Sequence, residues 1–131
     1  MPTRVEVVSA IIWKCARDAS RLNLGSMRPS PWCQTVNMRK IFVSGPLGDE
    51  DLLGNFVGLV AAQTKECEAD HDDLQNLVTK LRKGLEEFKE RYSNGSNGDD
   101  FCEDFMENVN LMKGDDIDSY TCSSWCRFPL L

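Results

Sequence analysis

Asn55-Phe56-Val57-Gly58-Leu59-Val60-Ala61-Ala62-Gln63, "NFVGLVAAQ", is the stretch on which the fold turns. A short, continuously apolar run is what a β-strand buried on both faces of a sheet requires. Its apolar part, Phe56 to Ala62, is the longest in the chain and far too short to cross a bilayer as a helix. A sheet is therefore expected, with further strands and covering helices on either side in the sequence.

Upstream, "WCQTVNMR" (Trp32–Arg39) mixes bulky and β-branched residues over the length of a second strand. It lies between the turn-rich "GSMRPSP" (25–31) and "VSGPLGDED" (43–51), both punctuated by Gly and Pro. Further back, "TRVE" (Thr3–Glu6) is a capping box. It opens a helix expected over Arg4–Leu22. Val5, Val8, Ile12, Cys15, Ala16 and Ala19 recur there at helical spacing, and Val7, Ile11 and Trp13 widen the stripe. The pattern predicts a helix buried on most sides, with Trp13 in the core and Gly25 as the stop.

Downstream, Asp70–Tyr92 gives the strongest helical pattern. Leu74, Leu77, Val78, Leu81, Leu85 and Phe88 form one stripe, and Glu87 precedes Arg91 by four residues. "SNGSNGDD" (93–100) reads as a flexible link. "DFCEDFMENVNLMK" (100–113) reads as an acidic helix closed by Gly114, and "IDSYTCSSW" (117–125) as a last strand. The order helix, strand, strand, helix, helix, strand makes a mixed α/β fold with three strands and two exposed sheet edges.

The 131 residues suffice for one domain with its own core, and 41% hydrophobic with 27% charged residues is a globular composition. A net charge of −6 argues against a nucleic-acid binder, whose phosphate contacts need clustered Lys and Arg. The N-terminus shows no basic segment followed by an apolar one, so neither a secretory leader nor a membrane anchor is expected. Cys15, Cys33, Cys67, Cys102, Cys122 and Cys126 contain no C-x-x-C pair. They read as reduced thiols of a cytoplasmic protein, and not as a disulfide frame or a zinc site.

The one histidine, His71, sits among Asp70, Asp72 and Asp73 at a helix start, where carboxylates complement the dipole, and reads as part of a surface cap. No glycine-rich phosphate loop and no nucleophile elbow is present. Asn94-Gly95-Ser96 matches a glycosylation pattern but reads as a loop. The residues alone thus lead to a soluble mixed α/β domain without a self-contained catalytic centre.

Four stretches in order carry more. "TRVEVVSAIIWKCARDASR", "QTVNMR", "GNFVGLVAAQT" and "SSWCRFP" together resemble the plant BAHD acyl-CoA-dependent acyltransferases, in their vinorine synthase-like branch. The resemblance covers nearly the whole chain. It implies a partial chloramphenicol-acetyltransferase-like fold, mostly the second of the family's two lobes, over residues 1–131. It also implies transfer of an acyl group, acetyl in this branch, from acyl-CoA to a hydroxyl or amine of a plant specialised metabolite. Acyl-CoA would be a co-substrate, with no bound cofactor.

Residue by residue, Asn37 and Arg39 match the family's Asn/Asp-x-Arg element beside the channel that receives coenzyme A. Ser123, Ser124 and Trp125 match its Thr-Ser-Trp-like segment lining that channel, with Ser123 where Thr is frequent. Gly54 and Asn55 match a Gly-Asn pair at a turn. The family's H-x-x-x-D general base and its D-F-G-W-G segment have no counterpart, and His71 is followed four residues on by Gln75.

The all-apolar ending Phe128-Pro129-Leu130-Leu131 fits the same reading: an internal piece of a longer enzyme, inactive alone and prone to self-association through exposed apolar faces. The rival expectation is a non-catalytic interaction protein using the Leu74–Phe88 helix face and exposed sheet edges.

Overall fold

A computed structural model describes residues 1–39, 57–64, 73–93 and 98–124. His71, Gly54, Asn55, Trp125, Cys67, Cys126 and the Asn94-Gly95-Ser96 loop lie outside these residues. The elements are α1 (Arg4–Leu24), β1 (Ser30–Asn37), β2 (Val57–Thr64), α2 (Leu74–Ser93), α3 (Gly98–Leu111) and β3 (Tyr120–Cys122). The order and types match those expected from the sequence.

The capping box forms as read. Thr3 Oγ1 accepts from the Glu6 N–H at 3.3 Å, and the Thr3 N–H donates to Glu6 Oε2 at 2.6 Å. Two of the donors that a helix start leaves without an intrahelical acceptor are thereby satisfied. At the other end Gly25 takes φ +74° and its N–H reaches Arg21 O at 2.8 Å. This left-handed cap suits a residue without Cβ. Asp73 starts α2 by accepting the Asn76 N–H through Oδ1 at 2.8 Å.

Among the described residues the sheet has the order β2-β1-β3. β1 and β2 are antiparallel from Ser30↔Thr64 to Asn37↔Val57, and β1 and β3 are parallel from Trp32↔Tyr120 to Gln34↔Cys122. Pro31 is tolerated in the central strand because its missing N–H falls before the β3 pairing begins at Trp32. One row of side chains, Ala62, Trp32 and Tyr120, runs across all three strands. α1 and α2 cover that row through Ala10, Trp13, Leu77 and Leu81. At the far end of β2, Phe88 and Phe101 close over Gly58 together with Met38. A Cβ there would stand 2.7 Å from the Phe88 ring and 2.8 Å from Met38 Sδ, so only glycine leaves them room.

Several expectations are corrected or refined. First, β2 is not buried on both faces: Gly58, Val60, Ala62 and Thr64 are buried while Val57 and Gln63 are exposed. Its neighbour β1 is antiparallel and the helices named above cover one face, which produces alternation. Second, α1 turns the other way. Glu6, Ser9, Ala10, Trp13 and Arg17 face inward, while Val8, Ile11, Ile12 and Cys15 are exposed. Trp13 sets this orientation: its indole is wholly buried and Nε1–H donates to Ser30 Oγ at 2.9 Å. Two of the inward polar groups have distant partners, Glu6 in Arg82 and Ser9 in Cys122.

Third, the Leu74–Phe88 stripe is core. Leu77 and Leu81 are buried against α1 and the sheet, while Leu74 at the start of the stripe is exposed. Fourth, the β2 edge is not open, since Asn108 Nδ2 donates to Leu59 O at 2.8 Å and Lys80 Nζ to Gln63 O at 3.3 Å. The last strand is also shorter than the 117–125 expected. Its lead-in is held by side chains, with Asp118 accepting from Ser20 and from Arg28 Nη1 at 3.3 Å.

α1 and α2 are tied at one end by Arg82, which donates from Nε to Glu6 Oε1 at 3.3 Å and from Nη2 to Oε2 at 3.0 Å. Burial alone would raise the Glu6 pKa, but the hydrogen bonds from Arg82 and Thr3 hold it below the usual carboxylate range. A carboxyl lowered in the folded state contributes stability above its unfolded pKa and loses it as pH falls through the folded value. Glu6→Gln should therefore lower the urea midpoint at pH 7, and the gap to the wild-type chain should close on acidification through the carboxylate range. A gap of constant size from pH 7 to pH 3 would show that the Glu6 charge contributes nothing.

Candidate functional site

Because β1 and β3 are parallel, their C-terminal ends leave the sheet on the same side. Asn37 is the last residue of β1, exposed, and Arg39 follows two residues later, half-buried. Ser123, exposed, and Ser124, half-buried, come directly after Cys122, the last residue of β3. Continuing the register by one step sets Ser123 beside Thr35, two residues or about 7 Å along the strand short of Asn37. The two sequence elements, 84 residues apart between Arg39 and Ser123 by subtraction of their numbers, thus leave the sheet at the same end. Trp125 lies outside the described residues.

The turn after β1 is closed by its own side chain. Asn37 Oδ1 accepts the Arg39 N–H at 3.0 Å, a local turn of the kind Asn favours, which fixes where the Arg39 side chain departs. Met38 between them is fully buried on the Gly58 side and anchors the turn. Thr35 was not singled out in the sequence, yet its hydroxyl donates to Cys122 O at 3.3 Å and ties β1 to β3 just before both strands end. A Thr in a strand gives no sequence signal for such a bond, because its acceptor is 87 residues away.

This end of the sheet carries a guanidinium, an amide and two hydroxyls, a set suited to holding an anionic, oxygen-rich ligand such as a phosphate. Nucleophile–base chemistry is not built into it. Cys33, on the central strand, is buried, and burial pushes its thiol pKa up, which keeps it a packing residue. Among the described residues no group of three or more His, Cys, Asp or Glu side chains could hold a metal ion. Nor is any described helix long and apolar enough to cross a membrane.

Away from this end, a groove of about 210 Å³ lies between β2, α2 and α3, lined by Phe88, Arg91, Asp104 and Asn108 among others. Here Asp104 accepts from the Tyr92 hydroxyl and, at 2.9 Å, pairs with Arg91 Nε. Burial and the Asp104 carboxylate push the Tyr92 pKa well up, so the phenol stays protonated and donates. Tyr92 also packs edge-on against Phe101, with ring centroids 5.7 Å apart, so the cluster docks α3 on α2.

The family model described as "Transferase: Transferase family" matches residues 1–131. Akuammiline synthase 1 of Alstonia scholaris is 35% identical over 130 residues, covering 98% of this chain and 30% of that protein. Deacetylvindoline O-acetyltransferase of Catharanthus roseus is 29% identical over 140 residues, covering 98% and 31%. The crystal structure of vinorine synthase superimposes with a TM-score of 0.68 at 26% identity, covering 95% of this chain and 27% of that one. The chain thus spans about a third or less of the length of the proteins it resembles.

The Asn37 turn has a direct readout. Asn37→Ala should speed hydrogen exchange at the Arg39 amide by roughly 2- to 10-fold, the loss of one hydrogen bond of about 0.5–1.5 kcal/mol. Asn37→Asp, which keeps the acceptor, should not. Equal exchange in all three proteins would remove this turn from the account.

Proposed function

This chain belongs to the Transferase family, that of the plant BAHD acyltransferases, and on that premise we propose that it forms part of the acyl-CoA channel of such an enzyme, within its second lobe. The observation that carries the reading is the parallel β1–β3 register, which sends the segment after Asn37 and the segment after Cys122 out of the sheet on the same side. Arg39 would pair with a phosphate of coenzyme A, and the serine hydroxyls, with Trp125, would line the channel wall.

The reaction proposed for the whole protein is acyl transfer, with acetyl-CoA as donor and a hydroxyl or amine of a plant specialised metabolite as acceptor. The deprotonated acceptor attacks the thioester carbonyl, a tetrahedral oxyanion forms, and its collapse breaks the C–S bond and releases coenzyme A as the thiolate. The acceptor's proton must pass to a general base, a contribution of roughly 10²- to 10⁴-fold. The sequence carries no H-x-x-x-D, and His71 with Gln75 four residues on does not supply one. The 131 residues are therefore proposed to take part in binding and to be inert by themselves.

A second reading, self-association as a non-catalytic protein, draws on the outward apolar face of α1, where Val8, Ile11 and Ile12 are about half exposed.

Incubated with acetyl-CoA and a panel of alcohols and amines, the purified chain should release no free coenzyme A thiol above background, and His71→Ala should behave identically. Coenzyme A should still bind, roughly 10- to 150-fold more weakly in Arg39→Ala, as expected for loss of a charge-assisted hydrogen bond of about 1.5–3 kcal/mol. Turnover abolished in His71→Ala would overturn the assignment of that histidine to a surface cap. A chain that binds no coenzyme A and self-associates until Val8 and Ile12 are replaced by Glu would favour the second reading.

A further inference from the structure

In an antiparallel pair, alternate residues turn both their N–H and their C=O away from the partner strand. For β2 the outward set is Val57, Leu59, Ala61 and Gln63. Pro31, opposite Gln63, has no N–H to exchange, and the inward set includes Thr64, whose hydroxyl donates to Ser30 O at 3.3 Å. A strand edge of this kind is a template for a second strand. Here two of the four outward carbonyls are met by donors from two helices. Asn108 of α3 donates Nδ2–H to Leu59 O at 2.8 Å, and Lys80 of α2 donates Nζ–H to Gln63 O at 3.3 Å. Between them, Gly84 of α2 faces the strand, and a Cβ on it would stand at ordinary van der Waals contact, 3.4 Å from Ala61 O.

We propose that Asn108, Lys80 and the Gly84 backbone form an edge lock on β2, a device that keeps this strand from pairing with the β2 of a second copy. The two side chains come from different helices, and each serves the carbonyl that a neighbouring strand would otherwise use. The Asn108 part of the lock holds only while α3 stays on α2, and the buried Tyr92 secures that docking with its hydroxyl on Asp104 and its ring on Phe101. Exposure of β2 is thereby coupled to undocking of α3. A strand freed in this way would pair with its copy about a twofold axis, since an antiparallel β2–β2 contact is self-complementary.

The test is the double variant Asn108→Ala/Lys80→Ala in the full 131-residue chain, beside a composition-matched control, Asn110→Ala/Lys89→Ala, at two exposed positions on the same helices. At equal concentration the double variant should sediment as a larger species than the wild-type chain. Exchange of the amides in 57–64 should slow in that species, because the outward N–H groups gain acceptors. Helical circular dichroism should be unchanged, and Lys80→Arg, which keeps a donor, should behave as wild type. If the double variant lost helix, Asn108→Ala alone would be read by the same exchange experiment, with slowed exchange at Leu59 expected. Unaltered sedimentation and exchange would overturn the proposal. So would an equal effect of the control pair, or association of the wild-type chain through 57–64.

Discussion

The side chain of Trp13 is the constraint from which the rest of the arrangement follows. Its indole is fully buried, tilts against Trp32 with ring centroids 5.9 Å apart, and donates its N–H to Ser30 Oγ at 2.9 Å. A buried Trp removes about 150–250 Å² from water, worth roughly 4–6 kcal/mol at about 25 cal/mol per Å². That is comparable with the whole net stability of a domain, about 5–15 kcal/mol. The hydrogen bond adds direction to that area. It fixes α1 to the start of β1 and leaves α1 only one rotation about its own axis. Trp32 then sits in the row with Ala62 and Tyr120, so the same contact spans both pairings of β1, antiparallel to β2 and parallel to β3. The parallel pairing is what brings the ends of β1 and β3 to one side of the sheet.

Much of this was legible in the sequence because it is local. The capping box Thr3–Glu6, the glycine stop at Gly25 and the leucine stripe of α2 depend on spacings of three or four residues, and each forms as expected. The core role of Trp13 was legible too. The facing of α1 was not. Counting apolar residues puts Val8, Ile12 and Cys15 inside, yet the inward face carries Glu6, Ser9 and Arg17. Glu6 is matched by Arg82, 76 positions away, and Ser9 Oγ lies 3.9 Å from Cys122 Sγ, 113 positions away. Hydrophobic periodicity sees only one helix at a time and cannot register such partners.

The candidate site divides the same way. Asn37, Arg39, Ser123 and Ser124 were found through resemblance to a family, since no spacing in the sequence joins them. The parallel register brings the ends of the two strands that precede them to one side of the sheet. Thr35, which ties the two strands, and Asn108 with Lys80, which close the β2 edge, left no sequence signal because their acceptors are backbone carbonyls of distant strands. The edge lock also changes the expectation for self-association. If the β2 edge is guarded in this way, the outward apolar face of α1, with Val8, Ile11 and Ile12, is the better candidate for association.

The most direct test of the convergence at the sheet end is a titration of isotopically labelled chain with coenzyme A, followed through backbone amide resonances. The account predicts saturable shifts that cluster at residues 37–39 and 123–124 and fade along β1 toward Ser30. Shifts confined to the groove between α2 and α3, around Phe88, Arg91 and Asn108, would contradict it, as would saturable shifts in only one of the two segments.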